Sequence, residues 1–443
     1  MTNRNFKSLL LLFVFIFCLF TACGGGEAVT PTPTPTAATP ALSPTPGPTP
    51  DPVTALLSTL TVEQKPVTAL LSTLTVEQKV GQLLVGGFEG TSAGADAVRA
   101  IQEYQVGGVI LYERNVESLG QLAGLTNTLK DLNGGHIPLF ITTDEEGGAV
   151  TRMPPEITDI PAARTFGSIG DAEQRLNACY TLGGTLARLC AAVGISMNYA
   201  PVLDVWSNQE NTVIGSRAFS SDPLTAAYAA AEAAYGMMDA GVIPTAKHFP
   251  GHGDTTVDSH AGLPVVDKSL EELERLELVP FREAIRPERF LGAYEEGRGA
   301  VPAVMVGHIL LTALDGQRPA SLSPAVVTGL LREDMGFDGL ICTDDLTMGA
   351  VSDTYSLEEA AVLAVEAGCD MLLVCHGADN LTTARDALLS AVESGRISRE
   401  RLDESVRRVL SLKLEYGVTN DPVPIPDAGA LNQTVADLLA LVP

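Results

Sequence analysis

Residues Val242 to Asp254 read VIPTAKHFPGHGD, and Asp258-Ser259-His260 follows shortly after. An apolar run, Val242–Ala246, gives way to Lys247-His248 and then to a Gly/Pro-rich loop. From Lys247 to His260 the chain carries three histidines, two aspartates and a lysine in 14 residues. Ionisable groups at that density repel or desolvate one another unless something binds among them. The pattern therefore reads as a strand that delivers chemistry at its C-terminal end. A solvated polar loop is the bland alternative.

The same arrangement recurs along the chain. Short apolar strand candidates are Gly81–Val85, Gly107–Tyr112, Pro138–Thr142, Ser196–Pro201, Val242–Ala246, Ala303–Val306, Gly339–Cys342 and Met371–Val374. Helical patterns such as Ala172–Ala192 and Pro223–Ala240 lie between most of them. Eight strands alternating with helices predict an α/β fold, a single (β/α)8 TIM-type barrel, with an open doubly wound sheet as the alternative. Asp144 follows the third strand, Asp204 the fourth, Lys247-His248 the fifth, His308 the sixth, Asp344 the seventh and His376 the eighth. These are the strand ends at which such barrels carry their active sites. Each residue alone, Asp204 and His376 especially, could instead be a satisfied core polar group. Helices near Asp379–Glu393 and Arg399–Tyr416 are expected to close the barrel, and residues 286–300 read as a charged loop insertion.

The 443 residues are 45% hydrophobic, enough for a sizeable core, and carry a formal net charge of −26. That charge argues against nucleic acid as a partner, because phosphate binding needs a basic face. Arg4 and Lys7 precede an apolar run, Leu9–Phe20, too short for a comfortable membrane span. This reads as a signal peptide over residues 1–22. Leu19-Phe20-Thr21-Ala22-Cys23-Gly24 resembles a bacterial lipoprotein cleavage box, with Phe20 where Leu is usual. Cys23 is the expected lipidation site, which predicts an extracytoplasmic, membrane-anchored protein; an uncleaved anchor helix is the alternative. Residues 24–52 form a Pro/Thr-rich spacer of the semi-rigid kind.

PVTALLSTLTVEQK occurs twice without change, at Pro52–Lys65 and Pro66–Lys79. Only the second copy runs on into Val80-Gly81-Gln82, and its Thr75 and Gln78 have capping-box spacing. The expected organisation is signal peptide 1–22, linker with the extra repeat copy 23–65, barrel 66–418 and a short tail 419–443. Cys179, Cys190, Cys342, Cys369 and Cys375 follow the lipobox. Cys179 and Cys190 would stand about 16 Å apart on one helix, too far to bridge. Buried free thiols are expected, and no Cys spacing suggests zinc.

Retaining hydrolysis of a glycosidic bond needs a carboxylate nucleophile below the sugar and a proton donor beside the leaving oxygen. Asp344 ends a strand that aims it into the mouth, while Asp345 should face the other way. Asp258 and His260 put a carboxylate near an imidazole, which could donate and then recover a proton. A structural Asp–His hydrogen bond is the alternative. His248, His252, Asp254, Asp258 and His260 could also be metal ligands, but Pro250, Gly251 and Gly253 argue against the helix that their spacing would need.

Lys247 to Gly253 with Asp258-Ser259-His260 resembles the signature of bacterial family 3 glycoside hydrolases of the β-N-acetylglucosaminidase (β-hexosaminidase) type. Asp144-Glu145-Glu146-Gly147-Gly148 with Arg152, Ile214–Phe219 and Thr343–Leu346 resemble three further segments of that family, in the same order. The similarity runs from about Leu74 to Val418. Ala149 stands where Arg is frequent, and Glu145 where Gln is. The resemblance implies Asp344 as nucleophile, His260 as acid/base with Asp258 assisting, and Asp144, Arg152, Arg217, Lys247 and His248 on the terminal sugar's hydroxyls. Structural pairing with carboxylates is the alternative for Arg152 and Arg217. It implies an exo-acting enzyme on β-linked amino-sugar oligosaccharides from cell wall or chitin, with no cofactor and no metal. β-Glucosidase specificity, phosphorolysis on the same site and a non-catalytic glycan-binding lipoprotein remain alternatives. No oligomeric state is assigned.

Overall fold

A computed structural model describes residues 64–255, 259, 262–286, 300–377 and 379–443, and side chains from Val67 onward. The signal peptide, Cys23, the spacer, most of the first repeat copy, Asp258, His260 and residues 287–299 of the expected insertion lie outside the described residues.

Eight parallel strands close into a barrel in chain order. They are β1 (Leu84–Gly86), β2 (Gly108–Leu111), β3 (Phe140–Thr143), β4 (Met197–Asn198), β5 (Ile243–Phe249), β6 (Ala303–Val306), β7 (Leu340–Asp345) and β8 (Met371–Val374). β8 pairs with β1 and completes the ring. The doubly wound alternative is thereby excluded. Inward-facing Val85, Ile110, Phe140, Met197, Ile243 and Met305 fill the interior as a packed core.

Four strand expectations need correction. Gly81 and Gln82 belong to a helix, Val76–Gln82, because the Thr75 capping box forms: the Gln78 amide donates to the Thr75 hydroxyl at 3.3 Å, and Gln78 Oε1 accepts from the Thr75 amide at 2.9 Å. β4 is shorter than expected, because the chain leaves regular pairing after Asn198. The segment after it still accepts from β5, with Lys247 N donating to Pro201 O at 3.2 Å. β5 and β7 run further than expected, so Lys247 and His248 sit on a strand and not on the loop after it, and Asp344 and Asp345 end β7.

Outside the barrel, the helices Ala172–Ala192 and Pro223–Asp239 pack closely because small residues face each other. A side chain at Gly183 would place its Cβ 1.8 Å from the Ala233 carbonyl, and one at Gly236 would meet Tyr180 O at 2.0 Å. Helix Gln64–Thr73 buries Val67 and Leu71. After β8 come helices Asn380–Glu393 and Arg399–Glu415. The second anchors the barrel floor: Asp370 is fully buried, accepts from Ser405 (2.8 Å) and Arg408 (3.3 Å), and also pairs with Arg332. The tail continues into a helix, Ala428–Leu439, whose Val435 and Leu438 join the core. All five described cysteines are free and buried. No helix among the described residues is long and apolar enough to cross a membrane.

Candidate active site

The polar residues at the mouth form one connected network. Lys247, 2% exposed on β5, places its Nζ 2.6 Å from Asp144 Oδ1 and 2.6 Å from Glu146 Oε1. Arg217, at the end of the short turn Gly215–Arg217, grips Glu146 with both arms at 2.8 Å. Such a bidentate pair fixes both position and orientation. Burial would raise the Glu146 carboxyl, but Arg217 and Lys247 outweigh it and hold it far below its ordinary value. Burial works against the Lys247 charge too, and the Asp144 and Glu146 carboxylates more than restore it.

His248 leans on Asp204, which is fully buried. Their Nδ1 and Oδ2 lie 2.7 Å apart. On the other side, Arg217 Nη2 approaches His248 Nε2 at 3.4 Å. Arginine can only donate. That contact is favourable only with an unprotonated Nε2, so Nδ1 carries the proton and donates it to Asp204. Asp204 Oδ1 also accepts the His252 amide at 2.6 Å. The Asp204 carboxyl is lowered overall: burial raises it, but the hydrogen bond from His248 and the His252 contacts outweigh that.

Asp344 points from β7 into the same mouth and is half-buried. Among the described residues only the Asp345 amide donates to it, at 2.8 Å on Oδ1. Burial pushes its carboxyl up, yet His308, His248, the Asp345 amide and Lys247 prevail and keep it below its ordinary value. It is thus an ionised carboxylate with one oxygen uncommitted among the described residues. Asp345 does face elsewhere. Its carboxylate accepts from Thr347 N and Cys375 N, both at 3.0 Å, and from the Thr347 hydroxyl at 2.6 Å.

Arg152 pairs with no carboxylate among the described residues. Its Nη1 donates to Thr151 O at 2.9 Å and its guanidinium lies 5.8 Å from the Tyr112 ring centre. Of the residues weighed as metal ligands, His248 turns to Asp204, His252 Nδ1 to Thr255 at 2.6 Å and Asp254 to Lys268 at 3.1 Å. Among the described residues no group of three or more such side chains is arranged around a metal position. Asp258 and His260 lie outside the described residues. Ser259 between them is buried, and its carbonyl accepts from Ala350 N at 3.0 Å, just beyond β7.

Two site residues went unread in the sequence. Glu146 is the hub of the charge network, and its place two residues after Asp144 was the available signal, since alternation puts both on one face. Glu145 is buried beneath the loop and accepts from Thr151 Oγ (2.9 Å), Arg152 N (2.6 Å) and Met153 N (3.2 Å). No spacing rule announces that role.

A parallel barrel whose mouth combines an ionised carboxylate with a ring of paired charges suited to vicinal hydroxyls has the build of a glycoside hydrolase. Residues 75–412 match the glycosyl hydrolase family 3 N-terminal domain, and the chain belongs to that family. It is 34% identical to a β-hexosaminidase of Nitrosomonas eutropha, over 69% of this chain and 85% of that one. It is 32% identical to β-hexosaminidase A of Pseudoalteromonas piscicida, over 71% of this chain, and spans about half (54%) of that longer relative. Among solved structures, a family 3 β-N-acetylglucosaminidase from a Paenibacillus strain superposes with a TM-score of 0.76 at 42% identity, covering 84% of this chain and 69% of that one.

Proposed function

We propose that the protein is a retaining exo-glycosidase that releases terminal β-linked N-acetylglucosamine from cell-wall or chitin-derived oligosaccharides. The observation that carries this reading is Asp344: ionised, half-buried at the end of β7, and bonded among the described residues through one oxygen only. Its other oxygen attacks the anomeric carbon and forms a glycosyl-aspartate. His260, assisted by Asp258, gives a proton to the leaving oxygen and later takes one from water. Supporting that pairing, the backbone of Ser259 is bonded to Ala350 on the segment after the nucleophile strand. Asp144, Lys247, His248, Arg217 and Arg152 grip the sugar's hydroxyls, with Glu146 and Asp204 holding the cations and the imidazole in place. The N-acetyl preference follows the names of the relatives.

A panel of aryl β-glycosides tests the reading. The N-acetylglucosaminide should turn over at least about tenfold faster than the glucoside or xyloside, and a faster glucoside would overturn the amino-sugar assignment. Repeating the assay with inorganic phosphate separates hydrolysis from phosphorolysis, which would yield the sugar 1-phosphate.

We further propose that Cys23 is lipidated and anchors the enzyme outside the cytoplasm, with residues 24–52 as its stalk. A Cys23→Ser variant should lose fatty-acid labelling and leave the membrane fraction. Retention of both would refute the anchor.

A further inference from the structure

Tyr112 directly follows β2, and His376 lies just beyond β8. β1 runs between those strands, yet the two rings meet: their centres are 5.7 Å apart and their planes 29° from parallel. They can do so because β1 ends at Gly86 and Gly87 follows it. A Cβ on Gly87 would lie 2.2 Å from the Cys375 carbonyl, so no side chain fits there. Arg114 ties the pair together. Its guanidinium sits 4.6 Å from the Tyr112 ring centre, and its Nη2 donates to Cys375 O at 2.7 Å. Tyr112 rests on the filled barrel interior, whereas the His376 side chain is 54% exposed toward solvent.

Barrel order fixes which wall this is. Asp344 on β7 and Asp144 after β3 stand on opposite walls, and Lys247-His248 on β5 stand opposite β1. A pyranose with C1 at Asp344 and C4 toward Asp144 has two unlike edges. One carries the polar substituents of C2 and C3 and suits the charged β5 wall. The other carries the ring oxygen, C5 and the C6 hydroxymethyl, whose C–H groups suit an aromatic face with a polar tip.

Resting on the exo-glycosidase reading above, we propose that the Tyr112–His376 pair recognises the C5–C6 edge of the terminal sugar and sets the preference for a hexoside over a sugar lacking C6. The experiment compares kcat/KM of the full-length protein on an aryl N-acetyl-β-glucosaminide and on the analogue without C6. His376→Ala should lower the hexoside value roughly tenfold more than the other, narrowing the ratio by that factor. His376→Phe, which keeps a stacking ring, should restore most of the ratio. Equal losses on both substrates, or an unchanged ratio in His376→Ala, would overturn the inference while leaving the glycosidase reading intact. A wild-type protein that cleaves neither substrate would overturn both.

Discussion

Replacing Glu145 with Gln isolates the energetics of one buried proton. Glu145 is 1% exposed, and one of its oxygens accepts from Thr151 Oγ and from the amides of Arg152 and Met153. Burial still raises its carboxyl from 4.5 to about 7, because those bonds and the Arg152 charge offset only part of the desolvation. The unfolded chain releases this proton near the ordinary value and the folded chain only near 7. Between the two the folded state binds the extra proton, so stability falls as pH rises and the loss is complete above the folded value. At about 1.4 kcal/mol per pH unit the window amounts to about 3 kcal/mol. Gln keeps one oxygen for the three donors and cannot ionise. Calorimetric melting at matched scan rates should give similar curves for the two proteins near pH 5, where the folded wild type still carries most of the proton. Near pH 8 wild type should melt about 3–4 °C below Glu145→Gln for a chain of this length. Parallel melting curves across that range would show that the side chain is ionised throughout, and the account of the buried loop would be wrong.

Three further outcomes follow from the network. Glu146→Gln strips Arg217 and Lys247 of a shared buried partner and should cost about 3–5 kcal/mol in urea unfolding near neutrality. Because the folded Glu146 carboxyl is depressed, its contribution is present above the unfolded value of 4.5 and fades on acidification below it, so the deficit should shrink in acid. Asp204→Ala leaves His248 Nδ1 and the His252 amide without their acceptor; kcat/KM should fall roughly 10–100-fold, and an unaffected value would remove Asp204 from the site. Asp344→Ala should lower kcat by at least about a thousandfold. Its urea midpoint should stay close to that of wild type, since only one described amide donates to Asp344.

The barrel was legible because the strands are short apolar runs, most of them followed by a polar residue, and Met371–Val374 and Ala303–Val306 appear with the boundaries read from sequence. Gly81–Val85 misled because a short, mostly apolar run is compatible with a helix end or a strand start; the capping box decided it. Asp344, Lys247 and His248 were legible from strand position alone. Partnerships were not. Arg217 reaches Glu146 across 71 residues of chain, and nothing in local spacing encodes that encounter. Asp204 looked like an optional core polar group because its role depends on His248 and His252 folding back over it. Tyr112 and His376 become neighbours only when β8 closes onto β1.

The central claim is a covalent sugar on one aspartate. Intact-mass analysis after treatment with a slow fluorinated N-acetylglucosaminyl inhibitor, followed by peptide mapping, addresses it directly. A single glycosyl adduct per chain on the peptide containing Asp344, lost in Asp344→Ala, is the expected result. Inhibition without an adduct, or an adduct on Asp345 or Asp144, would contradict the mechanism.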